Sequence, residues 1–116
     1  MVIANYKTKG TKMKQTHPLK NPESSKHYDA EPGGKSAIEN FEERFTVKQL
    51  FDWALLTEEK YMYRLYRKGQ EDSDLKKAET YRNYHKMLKQ IIDKYPTLAD
   101  MTAKTAYNHL GYRWEY

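Results

Sequence analysis

Residues 60–69 read KYMYRLYRKG, and residues 74–78 read DLKKA after a short acidic gap. On a helix, where successive residues turn by about 100°, the basic residues of the first segment fall on one face and most apolar residues on the other. The basic residues are Lys60, Arg64, Arg67 and Lys68. Gly69 follows where a helix end commonly takes a left-handed residue. The pattern predicts two helices joined by a turn, with a cationic face that is either ordinary solvated surface or a binding surface for phosphate.

Helix start signals recur along the chain from residue 36 onward. Ser36 and Thr46 each precede a Glu or Gln by three residues, which is the spacing of a capping box. The further predicted starts are Thr57, Asp72 or Ser73, and Thr97, and the predicted stops are Gly69, Tyr95-Pro96 and Gly111. The longest helix is predicted to bury Leu75, Ala78, Tyr81, His85, Leu88, Ile92 and Tyr95. No alternating strand pattern competes, so the sequence predicts an all-α fold: a small helical bundle of about five helices with an extended basic N-terminal arm.

Charge and composition divide the chain into three segments. The first 35 residues hold seven Lys against three acidic residues, whereas the other 81 residues carry one excess positive charge. We expect residues 1–25 to be a flexible or extended basic arm, residues 26–95 a helical core, and residues 96–116 a C-terminal helix with an aromatic tail. The tail, YRWEY at residues 112–116, is too aromatic to be left in water. It should therefore dock on this subunit or on another.

Composition excludes several classes of site. The 116 residues contain no Cys, which rules out disulfides, thiolate metal sites and cysteine nucleophiles. No apolar run reaches the length of a transmembrane helix, so we expect no membrane partner. The four His residues lack the spacing of metal ligands, and no Ser-His-Asp arrangement can be assembled, so we expect no metal site.

Two further patterns suggest phosphate chemistry weakly. Residues 33–36 (GGKS) are similar to the end of a phosphate-binding P-loop, but the first Gly of that motif is missing and a capping box accounts for Ser36. Glycines at a helix start still offer backbone N–H groups to a phosphate, which keeps Lys35 a candidate. The acidic pairs at residues 39–42 and 71–74 resemble those of all-α nucleotide pyrophosphohydrolases, although acids at helix starts are ordinary.

The residues around the basic helix resemble the signature of a small phage-encoded family. The matching residues are Tyr61, Arg64, Lys68-Gly69, Asp74-Leu75, Lys77-Ala78 and Tyr81, and His27-Tyr28 matches the pair that opens the family domain. The resemblance runs from Lys26 to Ile92 and departs at Thr57 and Glu59, where Asn and Ile are usual. This family is mostly of unknown function and includes the early nucleotide kinase of T-seven-type podophages. The resemblance implies phosphoryl transfer from a nucleoside triphosphate to a deoxynucleoside monophosphate without a P-loop.

The resemblance, together with the cationic face, defines the candidate site residues. His27 is the catalytic candidate, since an imidazole could orient the phosphoryl group, and the Tyr28 ring could stack on the base. The nucleotide- or phosphate-binding candidates are Tyr28, Lys35, Lys60, Tyr61, Arg64, Arg67 and Lys68. No cofactor follows from the residues themselves, but an enzyme of this kind would use ATP and Mg²⁺, because phosphoryl transfer depends on positioning and charge neutralisation.

Two other functions fit the same residues. A protein without chemistry would use the cationic and aromatic pocket to sequester a nucleotide, including a cyclic nucleotide signal of host antiviral defence. A nucleic-acid-binding accessory protein would instead use the basic arm and the cationic face, with an affinity that falls steeply with salt. A phage protein with any of these functions would act in the host cytoplasm during takeover of the host.

Two expectations concern variants and assembly. Arg64→Ala and Lys68→Ala should remove nucleotide binding and leave the melting temperature nearly unchanged, because both residues lie on the polar face. Aromatic residues that one short bundle cannot cover should form an interface, so we expect at least a homodimer. They are Trp53, Tyr112, Trp114 and Tyr116.

Overall fold

The computed structural model describes residues 14–20, 35–67, 69 and 71–116, which form four α-helices, one 3₁₀ helix and two short strands. The helices are α1 (Ala37–Arg44), α2 (Val47–Arg64), α3 (Glu71–Lys94) and α4 (Ala103–Leu110), with the 3₁₀ helix at Pro96–Leu98. The strands β1 (Gln15–Thr16) and β2 (Trp114–Glu115) pair in parallel. The predicted all-α fold is confirmed, because the strands are only two residues long.

α2 and α3 pack along each other and form the longest contact in the fold. Gly69, in the turn between them, has φ of 67°, which confirms the predicted left-handed residue. The prediction of a helix start at Thr57 is wrong, because α2 runs through this residue without a break. The Thr57 hydroxyl donates to the Trp53 carbonyl oxygen at 2.7 Å. A threonine can bond the preceding helical turn in this way as readily as it caps a helix.

The buried face of α3 differs from the predicted one. The helix begins at Glu71 and ends at Lys94, before Tyr95-Pro96 as predicted. Its buried residues are Asp74, Ala78, Thr80, Tyr81, Tyr84, Leu88 and Ile91. Leu75 and Tyr95 are exposed, so their predicted burial is wrong. The face is shifted because Asp74 and Tyr84, which a hydrophobic pattern leaves out, are buried against partners from other helices, Arg64 and Glu42.

The N-termini of α2 and α4 lie side by side. Val47 N–H donates to the Met101 carbonyl at 2.9 Å, and Ala103 N–H donates to the Phe45 carbonyl at 3.0 Å. Thr102 caps α4, which makes the predicted start at Thr97 wrong. Proline at the first position of the 3₁₀ helix favours a tight turn there instead. The left-handed stop at Gly111, with φ of 76°, is confirmed.

The core includes residues from both ends of the described chain. His17 and Leu19, from the segment predicted as an arm, are buried. Trp53, Trp114 and Tyr116 pack against the core, while Tyr112 is exposed. The tail therefore docks on its own subunit, and most of the aromatic surface predicted to need a neighbour is covered without one. The homodimer stays a prediction.

None of the described helices is long and apolar enough to cross a membrane.

Candidate functional site

Three cations from two helices surround the ring of Tyr61. Lys60 Nζ lies 4.6 Å from the ring centroid, Lys77 Nζ 5.5 Å and Arg64 Cζ 5.9 Å. Helical spacing places Lys60 and Arg64 on either side of Tyr61, and Lys77 comes from the facing turns of α3. Tyr61 also stacks on Tyr81, with centroids 6.0 Å apart and ring planes at 20°. These five residues are called the Tyr61 cluster below.

Asp74 of α3 pairs with the arginine of this cluster. Arg64 Nε lies 3.8 Å from Asp74 Oδ1. The Asp74 side chain is fully buried, and neither of its oxygens accepts a hydrogen bond from a described residue. A buried carboxylate of this kind depends on its cation. The pair therefore contradicts the premise that Arg64 lies only on a polar face, and the expectation of an unchanged melting temperature for Arg64→Ala loses its basis.

A cleft of about 550 Å³ opens beside the cluster, at the turn between α2 and α3. It is lined by Gly69, Glu71, Asp72, Ser73 and Lys77, so Lys77 belongs to both the cleft and the Tyr61 cluster. The first turn of α3 favours anions through its backbone N–H groups, while the Glu71 and Asp72 carboxylates that line the cleft favour cations. This mixture of charges suits a phosphate that carries a metal ion better than it suits a bare anion.

The side chains of the other predicted binding residues that the structure describes have partners outside the cluster. Arg67 Cζ lies 4.1 Å from the ring centroid of Tyr63, and its Nη1 donates to the Tyr63 carbonyl at 2.7 Å. Lys35 Nζ donates to both carboxylate oxygens of Glu43, at 2.9 and 2.7 Å. This bond raises the pKa of Lys35 and lowers the pKa of Glu43. His27, Tyr28 and Lys68 lie outside the described residues.

Ser36 acts as a helix cap, as the capping-box interpretation predicts. Glu39 N–H donates to Ser36 Oγ at 3.2 Å. The capping box at Thr46 and Gln49 is confirmed in both directions, with bonds of 3.0 Å each way.

Glu42 of α1 is the centre of a buried hydrogen-bond cluster that the sequence did not reveal. Its Oε2 accepts from His17 Nε2 at 2.9 Å, from the Tyr84 hydroxyl at 2.5 Å and from the Tyr107 hydroxyl at 2.6 Å. Its Oε1 accepts from the Tyr116 hydroxyl at 2.6 Å. Four donors from four parts of the chain therefore converge on one carboxylate. The one signal in the sequence was that Glu42 follows the buried Ile38 by one helical turn in a chain with eleven Tyr.

Glu42 and its four donors are called the Glu42 cluster below. Its donors stabilise the negative charge of the protein's own carboxylate. Leu19 N–H donates to His17 Nδ1 at 3.1 Å, so His17 presents its Nε2–H to Glu42. Burial raises the pKa of Glu42, but hydrogen bonds from His17, Tyr107 and Tyr116 lower it by more, so the pKa lies below its ordinary value. Burial and then neighbouring negative charge raise the pKa of Tyr84 and Tyr107 well above the usual value. The cluster is thus an anchor of the fold and lies outside the candidate binding site.

A second buried carboxylate, Glu58, ties α2 to α3. Arg82 Nε donates to Glu58 Oε2 at 2.6 Å, and His85 Nε2 lies 2.5 Å from Oε1. Burial raises the pKa of Glu58, but the bonds from His85 and Arg82 lower it by more. His85 also packs edge-on against Phe51, with ring centroids 5.8 Å apart. This agrees with the interpretation of His85 as a core residue.

Within the described ranges, no three His, Asp or Glu side chains are arranged to hold a metal ion. The acidic pairs at residues 39–42 and 71–74 do not converge as ligands, because Glu42 accepts from tyrosines and Asp74 pairs with Arg64. A divalent ion at the cleft would therefore depend on oxygen atoms that a ligand supplies.

A family model described as a protein of unknown function, DUF3310, matches residues 20–83. The match spans more than half of the 116 residues and contains α1, α2, the Tyr61 cluster and the lining of the cleft. The predicted resemblance to a family of unknown function is confirmed at this level. Neither the curated proteins nor the solved structures contain a match to this chain.

Proposed function

We propose a function for this chain, which belongs to the DUF3310 family of proteins of unknown function: it binds a nucleotide at the Tyr61 cluster and the adjoining cleft. The observation that carries the proposal is the convergence of Lys60, Arg64 and Lys77 within 5.9 Å of one aromatic ring. Cations held this close repel one another, and an anionic ligand relieves that repulsion. Lys60 is exposed and Lys77 lines the cleft, so both are accessible to phosphate oxygens.

The cleft supplies room for the rest of the ligand. Its volume is about 550 Å³, and its lining is polar and open to solvent. Mg²⁺ is commonly held by one or two carboxylates together with substrate phosphates. Glu71 and Asp72 line the cleft beside Lys77 and fit that pattern for a nucleotide that carries its own Mg²⁺. When bound, the ion would neutralise phosphate charge; the side chains of this chain would position the phosphates.

The finer proposal is the activity that the resemblance to the phage family implies. It is phosphoryl transfer to a deoxynucleoside monophosphate, with His27 orienting the phosphoryl group and Tyr28 stacking on the base. The alternative is sequestration of a nucleotide signal of host antiviral defence, which uses the same contacts without turnover. Either activity would serve a phage during takeover of its host.

We expect Lys60→Ala and Lys77→Ala each to weaken nucleotide binding about tenfold, because each removes one charge-assisted contact to phosphate. Isothermal titration with mononucleotides, triphosphates and cyclic oligonucleotides measures the affinity. Lys89→Ala is the matched control, because Lys89 lies on the same helix about 18 Å from Lys77 and pairs with Asp93. Its affinity should stay within about twofold of the unchanged chain. Equal affinities in all three variants would refute the assignment of the site.

Product analysis then separates turnover from sequestration. Chromatography of the titrated mixtures shows whether a phosphoryl group has moved. A ligand recovered unchanged after saturable binding supports sequestration, and a phosphorylated deoxynucleotide supports the kinase. Binding that disappears steeply with added salt and tolerates any oligonucleotide would point instead to a nucleic-acid binder.

A further inference from the structure

α2 exposes a stripe of side chains on the side opposite the core. The stripe consists of the exposed residues Gln49, Asp52, Leu56, Lys60 and Tyr63, and exposed Lys48 and Glu59 lie at its edges. Leu56 is 69% exposed and Tyr63 is 65% exposed. These two large apolar residues lie seven residues, about 10 Å, apart on one helix face and offer apolar area to a partner helix.

The stripe is symmetric about Leu56. Asp52 and Lys60 lie four residues before and after it, and Gln49 and Tyr63 lie seven residues before and after it. With 3.6 residues per turn, all five positions fall within about 40° of Leu56 around the helix axis. The charged positions on the two sides of Leu56 carry opposite signs, so the stripe is complementary to itself when its direction is reversed.

We propose that this face of α2 binds a second copy of the chain in an antiparallel, two-fold symmetric contact centred on Leu56. In such a contact the same patch is used on both subunits. Leu56 meets its own copy on the axis, and Asp52 of each protomer lies beside Lys60 of the other. Tyr63 of each protomer covers Gln49 of the other. The two ion pairs fix the register, as flanking charges do between paired helices.

The charge pattern favours a second copy over other occupants. The exposed charges of this face balance, Lys48 and Lys60 against Asp52 and Glu59, so the face has no net charge to attract a nucleic acid or an anionic membrane. Lys48 Nζ donates to Asp52 Oδ2 at 2.9 Å, so in the dimer the Asp52 carboxylate would lie between Lys48 of its own helix and Lys60 of the other protomer. The aromatic tail, the other surface from which a dimer is predicted, packs on its own subunit.

The small size of the patch predicts a weak dimer. A stable interface buries about 800 Å² on each partner, and a single helix face with two apolar residues buries less. We therefore expect a rapidly exchanging dimer whose population rises with protein concentration. Sedimentation equilibrium of the full chain between about 10 µM and 1 mM should show the mass rising from one chain towards two.

Charge reversal gives the sharper test. Asp52→Lys places two Lys pairs against each other and should raise the dimer dissociation constant about tenfold, and Leu56→Glu places two carboxylates on the axis and should leave only monomer. The double variant Asp52→Lys/Lys60→Asp exchanges the two charges and should restore the dimer. Asp93→Lys is the matched control, because Lys89–Asp93 on α3 repeats the Lys48–Asp52 pair, and it should dimerise as the unchanged chain does.

The outcomes are decisive in both directions. An unchanged chain that is monomeric at every concentration overturns the proposal. A double variant that stays as monomeric as Asp52→Lys also overturns it, because the pairing between protomers would then be absent. All substituted residues are exposed on α2 or α3, so circular dichroism should show the same helix content in every variant. The readout is mass, and it is measured without nucleotide, because Lys60 is also a proposed phosphate contact.

Discussion

Glu42→Gln is expected to lower the free energy of unfolding by about 3 kcal/mol, because it disrupts a fully buried and charged hydrogen-bond cluster. The Glu42 carboxylate accepts hydrogen bonds from His17, Tyr84, Tyr107 and Tyr116. A glutamine amide keeps one acceptor oxygen and turns an NH₂ group towards donors. Two buried donors then face each other, and the remaining bonds lose the assistance of the charge. Urea denaturation at pH 7, followed by circular dichroism, measures the change.

Glu43→Gln is the matched control. Glu43 is the next residue of α1 and pairs with Lys35 and Lys104 near the surface. Because exposed ion pairs contribute little, this variant should cost less than about 1 kcal/mol. A Glu42→Gln cost as small as that of Glu43→Gln would show that the Glu42 cluster does not anchor the fold.

The pH dependence tests the same cluster. The folded-state pKa of Glu42 lies below its ordinary value, so the ionised carboxylate stabilises the fold fully above the unfolded pKa of about 4.3. That stabilisation is lost as the pH falls through the lower, folded pKa. The difference in unfolding free energy between the unchanged chain and Glu42→Gln should therefore be constant near neutral pH and shrink below about pH 4. A difference that does not change down to about pH 3 would contradict this assignment.

Local signals predicted much of the fold. The capping box at Thr46 and Gln49 and the left-handed Gly69 and Gly111 depend on residues within one turn, so each could be recognised without tertiary information. Thr57 shows the limit of the same reasoning. Its hydroxyl bonds backwards within α2, and only the surrounding helix shows whether a threonine caps or continues.

Long-range partners could not be predicted in this way. His17 lies 25 residues from Glu42, and Tyr116 lies 74 residues from it. No periodicity relates residues at such separations. A buried carboxylate in α1 therefore looks like an ordinary surface acid until the two ends of the described chain are placed around it.

The candidate site was predicted in part. The helical wheel correctly grouped Lys60 and Arg64, but Lys77 and Asp74 join them only through the packing of α3 on α2. Arg67 lies three residues beyond the end of α2 and contacts Tyr63 there, so its role in binding stays a prediction.

Arg64→Ala is expected to lower the free energy of unfolding by about 2 kcal/mol. The substitution leaves the fully buried Asp74 carboxylate without the cation that lies 3.8 Å from it. Removing one partner of a buried pair costs about 3–5 kcal/mol, and a smaller cost is expected for this pair because the Arg64 side chain is 36% exposed. Urea denaturation measures this cost. Arg67→Ala is the matched control, since Arg67 is exposed three residues further on, and it should cost less than about 0.5 kcal/mol.

The double variant Arg64→Ala/Asp74→Asn separates the ion pair from other contacts of the arginine. It removes the buried charge together with its cation and keeps the volume of the Asp74 side chain. The double variant should therefore be more stable than Arg64→Ala alone, by about 1 kcal/mol. If the costs of Arg64→Ala and of Asp74→Asn, measured singly, simply add in the double variant, Arg64 and Asp74 are not coupled. If they are coupled as expected, weaker nucleotide binding by Arg64→Ala has two causes, a lost contact and a less stable fold. The contribution of the contact alone is then measured with the Lys60 and Lys77 variants.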